Sequence, residues 1–78
     1  MRDTALVRAA IDAVAGGNQA VFGRLIGIHP VQVSRRVNGA TGLTEVERRL
    51  YRMCVAHPKQ VFRWLTDQVV DRVDASED

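Results

Sequence analysis

The sequence predicts an all-α fold, a single compact domain of five helices, on three observations. The chain has 78 residues, of which 46% are hydrophobic and 26% are charged, as expected for one soluble domain with one hydrophobic core. Apolar residues recur at helical spacing along most of the chain, and no stretch alternates as a half-buried strand does. Glycine and proline residues separate these stretches, as they do at helix ends.

The first two helices are predicted over residues 3–15 and 19–26. Asp3 or Thr4 is expected to cap the first helix, and Asn18 the second, because short polar side chains accept hydrogen bonds from the free amides of the first turn. Glycine residues follow both helices and are expected to end them. The core-facing residues are expected to be Leu6, Ala10, Ile11, Val14, Phe22 and Ile26.

Three further helices complete the prediction. Proline suits the first turn of a third helix over residues 30–38. The capping box Thr44-Glu45-Val46-Glu47 begins a fourth helix, which continues to about residue 56. A fifth helix is predicted over residues 58–73, with the acidic residues 74–78 frayed beyond it. The core-facing residues of the last two helices are expected to be Val46, Leu50, Met53, Cys54, Val61, Phe62, Leu65 and Val69.

The net charge of +2 conceals a strong asymmetry along the chain. Residues 1–23 are neutral, residues 24–63 carry a net +6, and residues 64–78 carry a net −4. Ten of the eleven basic residues are arginine, whose guanidinium group suits bidentate contact with phosphates and guanine. A basic centre indicates an anionic partner such as nucleic acid, although a solvated arginine-rich face would have the same composition.

Several function classes are disfavoured. Cys54 is the only cysteine, so no internal disulfide can form and a reducing compartment, the cytoplasm, is expected. Cys54 and His57 have only one further histidine to complete a zinc site, and four ligands are needed. The sequence shows no catalytic triad, cofactor motif, sensor domain for a small molecule or apolar run of membrane-spanning length. We therefore expect a small binding protein without enzymatic activity, metal or cofactor.

The most informative segment is residues 19–39. Its two short helices are joined by Gly27-Ile28-His29, the spacing of a helix-turn-helix, in which the second helix enters the major groove of DNA. On a helical wheel, Val33 and Val37 form the inward stripe, and Arg35 lies opposite. The predicted base-reading residues around Arg35 are Val31, Gln32 and Ser34.

Each outward side chain has a chemical partner on DNA. Arginine pairs with guanine, glutamine with adenine, and a valine methyl group meets the methyl group of thymine. Gln19, Ser34 and Asn38 are short or neutral donors for phosphate oxygens, and Gln19 lies at a helix N-terminus, which favours phosphate. The alternative interpretation is a plain helical core whose exposed face happens to be polar.

The segment QAVFGRLIGIHPVQVSRRVNG resembles the lambda-repressor-like helix-turn-helix of the Cro and XRE families. The matching positions are Gln19, Gly23, Gly27, Ile28, Val33-Ser34 and Asn38-Gly39. The resemblance covers about 21 residues closely and the five-helix layout loosely. It implies sequence-specific binding of double-stranded DNA, with a phosphate contact from Gln19, a backbone contact from Asn38 and groove-facing positions at Pro30, Val31, Ser34 and Arg35.

The segment departs from the family pattern at three places. Gly23 replaces the usual alanine, which permits close helix approach at a cost of about 1 kcal/mol in helix propensity. His29-Pro30 replaces a serine-glutamine pair, which removes a helix cap and a base-reading amide. Arg36 stands where an apolar residue is commoner, and we expect Val37 to take the inward role and Arg36 to contact phosphate.

The fifth helix has more apolar surface than a small core uses, which predicts a homodimer interface. Such an interface suits a helix-turn-helix, because one recognition helix reads only half of a symmetric operator. Val21 and Leu25 form a competing apolar patch. The predicted interface consists of Phe62, Trp64, Leu65, Val69 and Val73.

These observations together predict a dimeric repressor whose helix-turn-helix domain spans residues 1–73. It would bind a palindromic operator and be controlled by its own concentration. An antitoxin-type or adaptor module that binds protein is the alternative. A third possibility is nonspecific binding of nucleic acid.

Overall fold

The computed structural model describes the backbone of residues 2–77 and the side chains of residues 2–67. All regular secondary structure within these residues is helical, as predicted from the sequence. The five helices are α1 (Asp3–Ala15), α2 (Gln19–Ile26), α3 (Pro30–Val37), α4 (Glu45–Ala56) and α5 (Pro58–Glu77). α1 packs against each of the other four helices, so it lies at the centre of the fold.

Local hydrogen bonds set most of the helix ends. The Asn18 side chain accepts a hydrogen bond from the amide of Val21 at 3.1 Å, and the Thr44 hydroxyl accepts one from the amide of Glu47 at 3.2 Å. Both N-caps are as predicted. The prediction for α1 is wrong, because its N-cap is Arg2, which makes no side-chain cap. Asp3 instead lies in the first turn, where a carboxylate is favoured by the helix dipole.

α5 continues to Glu77, four residues beyond its predicted end. The sequence Asp-Ala-Ser-Glu that follows Val73 contains no glycine or proline, so nothing in it breaks the helix. Within the residues that the structure describes, no helix is both long and apolar enough to cross a membrane.

The hydrophobic core is formed by one side of each helix and by the loop before α4. Val7 and Tyr51, which the sequence analysis missed, are almost completely buried. Val46, Met53 and Phe62 were predicted to face the core but are exposed. The buried set is Leu6, Val7, Ala10, Ile11, Val14, Phe22, Val33, Val37, Leu43, Tyr51, Cys54, Val61 and Leu65.

Tyr51 and Cys54 occupy the inner side of α4. The Tyr51 ring packs on the Phe22 ring of α2 with 5.6 Å between centroids, a favourable tilted arrangement of aromatic rings. Burial raises the pKa of Tyr51 to about 12 and that of the Cys54 thiol to about 11. No cluster of three potential metal-binding side chains occurs in the described part of the chain.

An ion pair joins the beginnings of α1 and α4. Arg48 donates from Nε to Oδ1 of Asp3 and from Nη2 to Oδ2, both at 3.2 Å. This guanidinium group lowers the pKa of the Asp3 carboxyl. Because both side chains are more than a third exposed, water screens the pair and its contribution to stability is small.

Gly23 of α2 is buried, next to the turn that leads into α3. A Cβ atom at this position would lie 2.6 Å from the carbonyl oxygen of Ile28 and 3.3 Å from Cγ2 of Val33. The same glycine accepts hydrogen bonds at its carbonyl from the amides of Gly27 and Ile28, at 2.8 and 2.9 Å. The Gly23 carbonyl therefore stabilises the turn through two hydrogen bonds, and there is no space for a side chain at this position.

We predict that Gly23→Ala destabilises the protein by about 1–3 kcal/mol, the usual cost of forcing extra volume into a packed site. The clash with a backbone carbonyl outweighs the gain in helix propensity, about 1 kcal/mol. Urea unfolding followed by circular dichroism measures the change. Gly42→Ala is the matched control, because a Cβ atom there meets open space. Equal stability of the two variants would contradict the predicted clash.

Candidate nucleic-acid interface

A tight turn of three residues, Gly27 to His29, connects α2 to α3. Gly27 has a φ of +82°, a left-handed conformation that suits glycine at a helix C-terminus. Ile28 is half-buried and packs against the core. The proline ring of Pro30 then begins α3, where its missing amide hydrogen costs no hydrogen bond. The turn thus leads directly from one helix into the next.

The two sides of α3 differ sharply in exposure. Val33 and Val37 are buried as predicted. Val31 is 50% exposed, and Arg35 is also exposed, together with Pro30. The other two predicted base-reading residues, Gln32 and Ser34, are half-buried.

His29 caps α3, which corrects the expectation that this position lacks a cap. Its Nδ1 accepts a hydrogen bond from the amide of Val31 at 3.1 Å. An imidazole nitrogen without a proton can accept a hydrogen bond in this way. The sequence analysis missed this role because histidine is not among the preferred N-cap residues.

Arg36, which is predicted to contact phosphate, has partners within the protein. Arg36 Nε donates to Oε2 of Glu47 at 2.6 Å, and Nη2 donates to Oε1 at 3.4 Å. Its Nη1 donates to the carbonyl oxygen of Gln32 at 3.0 Å. The Arg36 side chain is only 13% exposed. Arg36 therefore joins α3 to α4.

Glu47 collects several donors around its carboxylate. Besides Arg36, the hydroxyl groups of Thr44 and Tyr51 donate to it at 3.3 and 3.4 Å. The Arg36 guanidinium group lowers the pKa of Glu47, against the opposing effect of burial. The predicted capping box pairs Glu47 with Thr44, and the Glu47 carboxylate also accepts hydrogen bonds from Arg36 of α3.

Two of the predicted phosphate-contacting residues, Gln19 and Asn38, line the same surface depression of about 400 Å³. Gln19 begins α2 and Asn38 follows α3, and both are exposed. Arg8 of α1 also lines this depression, as does Asp12. The sequence analysis did not connect Arg8 with this region, because only the packing of α1 brings it there.

The predicted dimer interface is divided by the fold. Phe62 and Trp64 are 44% and 53% exposed, whereas Leu65 belongs to the core of its own domain and is therefore removed from the predicted interface. Trp64 lines a shallow groove on the outer side of α5, together with Lys59, Gln60, Arg63 and Asp67. Val69 and Val73 lie outside the residues whose side chains are described. In the competing patch, Val21 is exposed and Leu25 is half-buried.

We predict that Glu47→Gln lowers the free energy of unfolding at pH 7 by about 1–3 kcal/mol, the range for hydrogen bonds to charged groups. The pKa of Glu47 is lowered from its ordinary value of 4.5, so its contribution is complete above that value. It is lost as the pH falls through the lowered pKa. Urea unfolding between pH 7 and pH 2 should therefore show the difference between parent and variant shrinking with acid.

Glu45→Gln is the matched control for this experiment. Glu45 is 62% exposed and pairs with Arg48 and Arg49 on the surface, so its loss should change stability by no more than about 0.5 kcal/mol. A Glu47→Gln effect equally small, or independent of pH, would show that the pair with Arg36 does not hold α3 against α4.

The chain was compared with protein-family models, curated proteins and solved structures. None of them matches it. Any functional assignment therefore depends on the α2–turn–α3 geometry, the exposed face of α3 and the distribution of charge.

Proposed function

We propose that the protein is a sequence-specific double-stranded DNA-binding regulator, a repressor that occupies its operator as a homodimer. The observation that carries the proposal is the exposed face of α3. Arg35 and Val31 point outward from a helix whose opposite side is anchored by Val33 and Val37. The short turn and the contact at Gly23 support α3 from behind.

The exposed face of α3 has the dimensions and chemistry for the major groove. An α-helix with its side chains is about 10–12 Å across, and the groove is about 12 Å wide. α3 contains no acidic residue, so no carboxylate on it opposes the phosphates. Arg35 is the expected guanine contact, with Pro30, Val31, Gln32 and Ser34 around it.

Phosphate contacts are expected beside this exposed face of α3. Gln19 lies in the first turn of α2, where free amides favour an anion, and Asn38 lies at the end of α3. Arg8 adds a positive charge in their shared depression, although Asp12 also lines it. We therefore propose phosphate contacts from Gln19 and Asn38, with Arg8 as an additional contact, whereas the guanidinium group of Arg36 is paired with Glu47.

Dimerisation through α5 is part of the proposal. The exposed aromatic side chains of Phe62 and Trp64 support it, because such residues are the usual anchors of protein interfaces. Two recognition helices about 34 Å apart would read an inverted repeat in successive major grooves. The protein would act in the cytoplasm and be controlled by its concentration.

A second candidate function is protein binding, as in an antitoxin-type or adaptor module. The observation that favours it is the exposure of Val46 and Met53 on α4, 76% and 54% respectively. The two side chains are seven residues apart and so lie on the same side of α4, where exposed apolar residues can mark an interaction surface. Competition binding separates the candidates. A regulator discriminates one DNA sequence from bulk competitor, a nonspecific nucleic-acid binder binds all sequences alike, and a protein-binding module binds none of them.

We predict that Arg35→Ala weakens binding to a site selected from a random DNA pool by about 1–3 kcal/mol. It should also relax the base preference at one base pair per half-site, because guanine contact is lost. Gln19→Ala should lower affinity for all sequences alike, since phosphate contacts carry no sequence information. Fluorescence anisotropy with a panel of single-base variants measures both effects.

The control for Arg35→Ala is Arg49→Ala, which removes the same charge from α4. Arg49 is 77% exposed and makes one long surface contact, 3.9 Å to Glu45. Its removal should leave the base preference unchanged. Uniform weakening by Arg35→Ala would make Arg35 a phosphate contact, and a selected pool without any common sequence would refute the proposed function.

We also predict that Trp64→Ala and Phe62→Ala weaken self-association and specific DNA binding together. Truncation of an interface aromatic residue commonly costs about 2 kcal/mol or more, enough to move a micromolar dimer toward monomer. Sedimentation at tens of micromolar and DNA titration measure the two effects. Met53→Ala serves as a control on another exposed apolar side chain. A parent protein that sediments as a monomer at these concentrations would exclude a preformed dimer.

A further inference from the structure

The first turn of α3 presents an apolar surface. Pro30 has no amide hydrogen, and Val31 is 50% exposed with its backbone amide donated to Nδ1 of His29. The backbone hydrogen-bonding capacity of this turn is thus partly used within the protein. What Pro30 and Val31 offer to a ligand is carbon surface, the ring of one and the two methyl groups of the other.

Val31 and Arg35 are four residues apart on α3, and both are exposed. Side chains at this spacing lie on the same side of a helix, about 5–6 Å apart at Cβ. Base pairs are stacked about 3.4 Å apart along DNA. A guanine contacted by Arg35 would therefore place Val31 over a neighbouring base pair.

Only one apolar group projects into the major groove from standard DNA, the C5 methyl group of thymine. The same position is occupied in 5-methylcytosine, whereas cytosine and uracil carry hydrogen there. We propose that the Val31 side chain contacts the methyl group of a C5-methylated pyrimidine beside the guanine bound by Arg35, an inference that rests on the proposed function. 5-Methylcytosine then replaces thymine at that position, and unmethylated cytosine does not.

The test uses a duplex selected from a random pool and titrated by fluorescence anisotropy. Deoxyuridine replaces each thymidine in turn, which removes one methyl group and leaves the hydrogen-bonding edge intact. At one position per half-site, affinity should fall about fourfold, the worth of one buried methyl group. At that position, a 5-methylcytosine–guanine pair should bind about fourfold more tightly than a cytosine–guanine pair.

Protein variants assign the effect to Val31. Val31→Ala should bind the thymidine and deoxyuridine duplexes equally, whereas Val46→Ala, which truncates an exposed valine of α4, should retain the parent's discrimination. Circular dichroism establishes that both variants keep their helical content. Persistence of the methyl preference in Val31→Ala would assign it to another residue and overturn the inference.

The outcomes separate this inference from the proposed function. Sequence-specific binding that depends on Arg35 but is indifferent to every C5 methyl group overturns only the role of Val31. A pool from which no sequence is selected overturns both.

Discussion

The close packing of α2 against the turn and α3 depends on the absence of a side chain at position 23. Because Gly23 has no side chain to collide with the Ile28 carbonyl oxygen or with Val33, the turn can pack closely against the end of α2. Val33 then reaches the core and Arg36 reaches Glu47 on α4. These contacts fix the inner side of α3. They therefore also fix the direction in which its exposed face points.

Much of the fold is predictable because its boundaries are encoded locally. Gly27, Pro30 and the Asn18 and Thr44 caps act within a few residues of their own positions, and the helix ranges follow them closely. The inner side of α4 was misjudged for a different reason. Val46 and Met53 have helical spacing and apolar side chains, but the fold turns α4 so that Tyr51 and Cys54 face inward. That rotation depends on long-range packing, such as that of the Tyr51 ring on the Phe22 ring of α2.

The candidate site likewise has some features that the sequence predicts and others that it does not. The inward stripe of Val33 and Val37 and the exposure of Arg35 follow from the helical period alone. The role of Arg36 does not, because its partner Glu47 lies 11 residues away on another helix. An arginine and a glutamate in one sequence can pair or remain apart, and only the packing of α3 against α4 decides. His29 was missed because its cap uses a side chain that rarely serves as one.

Because Cys54 is buried, thiol reagents should react with it only slowly in the folded protein. Burial raises the pKa of this thiol to about 11, so little of it is ionised at pH 7, and the thiolate is the reactive form. A fluorophore or spin label can therefore be directed to a cysteine introduced on the surface without removal of the native one. The rate at which Cys54 itself is labelled would report how often α4 opens transiently, and so would measure local unfolding.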